Sequence, residues 1–311
     1  MAQDAPQIVI AHRGASGYLP EHTLEAKAMA HAQGAHYIEQ DLVLTKDDVP
    51  VVLHDIHIDT VTDVVEKFPT RKRDDGRYYA LDFTLAELKT LRATERFNAV
   101  TGKQVYPNRF PKGQGRFEIA TLAEELQLIQ GLNHSTGRVA GIYPEIKQPA
   151  WHLAQGHDLS RIVLPILHRY GYKTKDDPCY IQCFEHDEVK RLRDELGWKG
   201  RLIMLMSGGK TGPGNTDFAH LRTPAGLVEL AKVANGIGPE VKTVISADRE
   251  PTSLVKDAHT CGLKVHAYTL RVDELPKFAQ SAEDLLTLLF QKAGVDGLFS
   301  DFPDVALRGL R

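Results

Sequence analysis

Three short apolar runs, Ile8-Val9-Ile10-Ala11, Tyr37-Ile38 and Val51-Val52-Leu53, each hand over abruptly to charge: His12-Arg13-Gly14, Glu39-Gln40-Asp41 and His54-Asp55. Two imidazoles, two carboxylates and a guanidinium are the groups needed to hold a hard cation, clamp a phosphate and move a proton on each side of it. Each run reads as a buried strand. A strand that ends in charge usually ends at a site, because burying those groups unpaired is costly. Among 14 histidines, His12 and His54 stand out because both sit at strand ends beside charged partners. An imidazole titrates near neutrality, which makes these two the acid–base candidates. His57, His134, His152 and His259 have no such setting and read as structural.

Side chains alternate along a strand, so Glu39 and Asp41 share a face, about 7 Å apart along the backbone. Carboxylates that close repel each other unless a cation lies between them; the plainer reading is a pair of solvated surface acids. Thr45-Lys46-Asp47-Asp48 is a polar turn between Leu42-Val43-Leu44 and Val51-Val52-Leu53. The gap is too short for a parallel crossover, so the segment reads as a hairpin that carries His54 back to or near Asp41. Further along, Gly141-Ile142-Tyr143-Pro144 leads into Glu145-Ile146-Lys147. Glu145 would complete a three-carboxylate set with Glu39 and Asp41. An all-oxygen set suits Ca²⁺ or Mg²⁺ better than zinc. Lys147, two residues on, would be a point charge for a phosphate oxygen.

The elements that must position these groups recur along the chain. Strand-like runs lie at 8–12, 37–44, 141–146, 180–184, 201–206, 235–246, 263–269 and 297–301, with 50–54 as the return arm of the hairpin. Helical patterns separate most of them. Eight strands alternating with helices predict an α/β fold, a (β/α)₈ TIM barrel, whose active site lies at the C-terminal ends of the strands. More than 80 residues separate His54 from the next barrel strand, far more than an ordinary connection. Two capping boxes, Thr84-Leu85-Ala86-Glu87 and Thr121-Leu122-Ala123-Glu124, start helices there. Residues 55–120 therefore read as an insertion over the barrel mouth, with the second helix belonging to the barrel ring; a solvated structural flap is the plainer alternative.

Hydrophobic content of 42%, charged content of 25% and a net charge of −3 are ordinary for a globular protein. They argue against a nucleic-acid binder, which shows a basic excess. No apolar run is long enough to span a membrane. Cys179 and Cys183 lie too far apart in one strand to bridge. Buried thiols and no structural disulfide are expected, with a contact to Cys261 left open. Ser207-Gly208-Gly209-Lys210-Thr211-Gly212 is not a P-loop, because Met204 stands where that motif needs its first glycine; it reads as a flexible loop. Met1-Ala2-Gln3-Asp4-Ala5-Pro6 has neither a basic segment nor an apolar core of a leader.

The motifs His12-Arg13-Gly14-Ala15-Ser16-Gly17, Pro20-Glu21-His22-Thr23, Glu39-Gln40-Asp41, His54-Asp55, Pro144-Glu145-Ile146-Lys147 and Gln182-Cys183-Phe184 together resemble the glycerophosphodiester phosphodiesterase family. Ala267-Tyr268-Thr269-Leu270-Arg271 and the run from Asp296 to Pro303 extend the resemblance to the C-terminus. The stretches Tyr106–Gly115 and 131–137 are similar to the bacterial periplasmic branch, as is the Tyr268/Arg271 pair where many members carry Trp and Asn. The resemblance implies a single domain over 1–311 that hydrolyses a glycerophosphodiester to sn-glycerol 3-phosphate and an alcohol. It implies one divalent cation on Glu39, Asp41 and Glu145; Ca²⁺ is favoured over Mg²⁺ because three carboxylates make a flexible oxygen cage. Arg13 and Lys147 are then expected on the phosphate, and His12 and His54 as base and acid in that order. Phe184 and Tyr268 become candidates to pack on the glycerol carbons, with Gln182 as a polar neighbour. A periplasmic location, with the leader already removed, is implied by the resemblance alone. The expected partner is a small-molecule substrate, with no nucleic acid and no membrane span; a homodimer is left open. Two rival readings are a related barrel phosphodiesterase acting on lysophospholipids and a catalytically silent surface-binding protein.

Overall fold

Apolar runs rich in β-branched residues become the staves of a closed barrel in the computed structural model, which describes residues 6–310. Met1 to Ala5, the segment behind the expectation of a removed leader, lie outside the described residues. The strands are β1 (Ile8–Ala11), β2 (Tyr37–Leu44), β3 (Pro50–Val52), β4 (Gly141–Ile146), β5 (Tyr180–Cys183), β6 (Arg201–Met206), β7 (Gly236–Pro239), β8 (Lys264–Leu270) and β9 (Gly297–Ser300). Neighbours run β1-β9-β8-β7-β6-β5-β4-β2, and β1 pairs again with β2 to close the ring. All pairings within that ring are parallel. β3 hangs outside it, antiparallel to the end of β2. The expected TIM barrel is thus present, with the expected hairpin as an extra arm.

Ile10, Tyr143, Ile203, Leu205 and Phe299 fill the barrel's interior. A larger apolar shell joins the outer faces of the strands to the helices. The helix Leu24–Gln33 starts at Thr23, whose hydroxyl accepts from Ala26 N, and stops at Gly34 in the left-handed conformation. Both expected capping boxes form, at Thr84/Glu87 and Thr121/Glu124. The second begins the helix Leu122–Thr136, which packs against Leu24–Gln33 in the outer ring. Between β3 and that helix the chain is mostly turns and short helical segments around a separate apolar cluster that includes Ile58, Val64, Phe83 and Leu88.

One expected strand differs. The run over 235–246 is a strand only from Gly236 to Pro239, and Val241–Val244 forms a helical turn. Glu240 N still donates to Met206 O, but the chain then turns into the helix Val241–Val244, so the β-branched residues there leave the ladder. Cys179, Cys183 and Cys261 are free thiols, but Cys261 is only half-buried, contrary to expectation. His152 is structural as expected: its ring accepts from Leu44 N.

The turn after β1 is tight. Arg13 and Gly14 both take positive φ, 59° and 87°. A Cβ on Gly14 would lie 2.8 Å from the Ala26 carbonyl carbon, in a conformation that L side chains resist. Gly14→Ala is therefore expected to lower unfolding stability by about 1–3 kcal/mol. Chemical denaturation checks this, and an unchanged midpoint would contradict it.

Candidate active site

The pairing of β2 with β4 sets Asp41 beside Glu145 and Glu39 beside Tyr143. Alternation then points Glu39, Asp41 and Glu145 to one spot at the barrel's C-terminal end. One oxygen of each lies within 4.8 Å of the others, and all three residues are buried. Each is held by a donor. Glu39 accepts from Gln182 Nε2 on one oxygen and Arg13 N on the other, both at 2.8 Å. Glu145 pairs with Lys147 at 2.8 Å. Asp41 Oδ2 meets His22 Nε2 at 2.7 Å, while its buried Oδ1 has no hydrogen-bond partner. A buried carboxylate oxygen without a partner, amid two further carboxylates, fits a cation-holding site.

The electrostatics agree. Burial, with Asp41 adding to it, pushes Glu39 up to about 8. Burial also raises Glu145 well above the usual carboxylate range, against the pull of Lys147. Burial alone would raise Asp41 as well, but Lys147 and His22 hold it well below its ordinary value. The repelling set is thus biased toward protonation at Glu39 and Glu145 and toward ionisation at Asp41.

His12 and His54 stand beside the carboxylates. His12 Nδ1 donates to Asp301 Oδ1 at 2.5 Å, and His54 Nδ1 donates to Asp55 Oδ1 at 2.8 Å. Each carboxylate can only accept at neutral pH, so Nδ1 carries the proton and Nε2 keeps its lone pair. His12 Nε2 lies 3.9 Å from Glu39 Oε2. Burial, then the nearby Arg13 charge, lowers both histidines to about 4.

His12, Arg13, Glu39, His54, Glu145, Gln182, Phe184 and Tyr268 all line one cavity of about 480 Å³. Asp41 is buried and does not line it. Lys147 opens onto an adjoining cavity of about 490 Å³, shared with His54, Glu145, Phe184 and the loop after β6. Phe184 meets Tyr268 edge to face at 5.8 Å, and Tyr268 Oη donates to Met206 O. Gln182 is fully buried and holds Glu39. Arg13 is already paired with Glu21 at 2.9 Å. Arg271 lines the first cavity and donates through Nε to Asp301 at 3.1 Å.

Sequence reasoning missed several supporting residues. Asp55 and Asp301 orient the two histidines, and both stood inside quoted motifs at strand ends. Lys27 donates to His22 Nδ1 at 3.1 Å and to Glu39 O, and pairs with Glu125 at 3.1 Å. With Nδ1 accepting, His22 must donate from Nε2 to Asp41. The available signal was a lysine between Ala26 and Ala30, on the buried face of its helix.

A model of the glycerophosphoryl diester phosphodiesterase family matches residues 12–305. A glycerophosphodiester phosphodiesterase of Haemophilus influenzae is 43% identical over 98% of this chain and 90% of its own length. One of Treponema pallidum is 36% identical over 98% of this chain and 92% of its own. The structure of an Oleispira antarctica phosphodiesterase in complex with the product sn-glycerol-3-phosphate superposes with a TM-score of 0.65. It is 23% identical and covers 98% of this chain and 96% of that one.

The raised carboxylates have a measurable consequence. In the metal-free folded protein Glu39 keeps a proton up to about pH 8 that the unfolded chain releases near the ordinary value of 4.5. That stabilising contribution is complete below the lower value and is lost as pH rises through the upper one. Above about pH 7 ordinary histidines are already neutral, so the lowered imidazoles no longer contribute. The rise in Tm on adding Ca²⁺ to the chelated protein is expected to grow from pH 7 to 8.5, the range through which Glu39 releases its proton. A cation-induced shift that is constant over that range would contradict it.

Proposed function

We propose, since this chain belongs to the glycerophosphoryl diester phosphodiesterase family, that it hydrolyses glycerophosphodiesters to sn-glycerol 3-phosphate and a free alcohol with His12 and His54 as its acid–base pair. It is an enzyme, a phosphoric diester hydrolase. The observation that carries the reading is the single cavity wall on which both histidines, Arg13, Glu39 and Glu145 converge.

Glu39, Asp41 and Glu145 would hold one divalent cation. Ca²⁺ is the proposed ion, because a flexible carboxylate cage suits it better than the near-ideal octahedron that Mg²⁺ demands. When bound, such an ion supplies positive charge that polarises a phosphate oxygen and a glycerol hydroxyl. Arg13 and Lys147 neutralise the charge that grows on the phosphoryl oxygens. His12 Nε2, neutral at pH 7, takes the proton of the attacking water or glycerol hydroxyl as its oxygen bonds to phosphorus; where the glycerol hydroxyl attacks, a water then opens the cyclic phosphate so formed to give sn-glycerol 3-phosphate. The bond from phosphorus to the alcohol oxygen breaks, and His54 gives that oxygen a proton from Nε2. His54 gains this proton more readily with substrate present, because bound phosphate offsets the Arg13 and Lys147 charges that depress it. Phe184 and Tyr268 pack on the glycerol carbons. Periplasmic residence is proposed from the branch markers alone, and cell fractionation tests it.

The roles separate by leaving group. His54→Ala is expected to lose ~10²–10⁴-fold on glycerophosphocholine and to recover much of it on a glycerol phosphodiester of nitrophenol, which departs without a proton. His12→Ala stays impaired on both. The reverse pattern would exchange the roles, and equal losses throughout would overturn them. Asp41→Ala and Glu145→Ala are expected to abolish turnover, and chelation to do so reversibly. Full activity after exhaustive chelation, with no metal found by elemental analysis, would refute the cation's part.

A further inference from the structure

The long segment between β3 and β4 returns two arginines to the site. Arg96 donates through NH1 to Asp55 Oδ2 at 2.7 Å, and through NH2 and Nε to the two oxygens of Glu21 at 2.6 and 3.0 Å. Arg109 donates through NH2 to Asp301 Oδ2 at 2.7 Å, and grips Asp273 with Nε and NH2 at 2.8 and 2.9 Å. The two arrangements match. In each, one carboxylate oxygen accepts from an arginine of the segment and the other accepts from Nδ1 of His54 or His12.

We propose that Arg96 and Arg109 are positioning residues through which the 55–120 segment sets the orientation of both histidines. An aspartate that holds an imidazole by one oxygen can still swing about its own side-chain torsions. A second, charged hydrogen bond on the other oxygen restricts that freedom, and a planar guanidinium holds two carboxylates in a fixed fork that a rotating ammonium does not impose. The side chains of Arg96 and Arg109 are only 18% and 5% exposed; the Arg109–Asp301 contact is buried, and the Arg96–Asp55 contact is partly buried, with Asp55 31% exposed. Each arginine is also anchored elsewhere. Glu21, bound by Arg96, accepts from Arg13 as well. Arg109 reaches Ser16 O in the turn after β1. The segment is therefore bonded to the turn after β1 and to the carboxylates behind both histidines. The two sides differ in one respect. Asp301 has a second guanidinium in Arg271, whereas Asp55 has Arg96 and His54 as its side-chain partners.

This inference rests on the acid and base assignment above, and it makes each arginine variant share the defect of its own histidine. Arg96→Met is expected to lose about 10²-fold on glycerophosphocholine, the scale of a small misplacement, and to regain most of it on the nitrophenol substrate. Arg109→Met is expected to lose less, because Arg271 remains, and to lose it on both substrates. Adding Arg96→Met to His54→Ala should cost nothing further on glycerophosphocholine. Asp55→Asn, which keeps the side-chain shape, should reproduce the Arg96→Met pattern should that variant fold poorly. The Ca²⁺-induced Tm shift should persist in every variant and so report an intact cation site. Equal losses on both substrates for Arg96→Met and Asp55→Asn, while His54→Ala itself discriminates, would overturn the proposal and leave the catalytic reading standing. Were His54→Ala not to discriminate, the acid assignment falls. The double variant then decides alone: additive losses overturn the positioning role and non-additive losses support it.

Discussion

Three carboxylates from two adjacent strands occupy one buried point, and much of the surrounding polar structure answers to that constraint. The β2–β4 register fixes it, since Asp41 and Glu145 are direct neighbours across the ladder and Glu39 is two residues back on the same face. Left alone, such a set would repel and expel its charge. The fold counters it with Lys147 on Glu145, with the Arg13 amide and Gln182 on Glu39, and with His22, itself bonded by the fully buried Lys27, on Asp41. The positive-φ turn at Arg13 and Gly14 serves the same end, by bringing a backbone amide onto Glu39 Oε2.

Proton transfer is built around that centre by a second set of carboxylates. Asp55 and Asp301 sit far below the usual carboxylate range. Burial opposes this in both, and the imidazole each one holds, together with guanidinium charge from Arg96 on one side and from Arg271 and Arg109 on the other, outweighs it. Ionised acceptors of this kind fix Nδ1–H and present Nε2 to the cavity. The two carboxylate sets thus behave in opposite ways. Those facing the cation spot are largely driven toward protonation, and those behind the histidines are driven away from it. Guanidinium and ammonium groups, spread unequally over the site, produce that division.

Much of this was legible in the chain. Buried strands that end in charge gave the strand ends of the site, and a four-residue polar turn gave the hairpin that returns His54. Spacing of two along a strand put Glu39 with Asp41 on one face. Regular alternation of strand and helix patterns gave the barrel. The misreadings have local causes. The segment 235–246 looked like one strand because Val241, Thr243 and Val244 are β-branched, yet the chain turns into a helix after Glu240 and tertiary packing decides the rest. The partners of the histidines were out of reach for a different reason. Asp301 lies 289 residues from His12, and only closure of the barrel, through β1 and β9, brings them together. Arg96 and Arg109 lie in a stretch without periodicity, where spacing carries no information about what a side chain will meet.

The central claim is that this carboxylate set, biased toward protonation at Glu39 and Glu145, gives up protons when a cation binds. Difference infrared spectroscopy of the chelated protein at pH 7, before and after addition of Ca²⁺, tests this most directly. The account predicts loss of a protonated-carboxyl C=O band with a matching gain of carboxylate bands, and loss of part of that change in Glu39→Gln. Cation binding with no loss of the protonated-carboxyl band would contradict it.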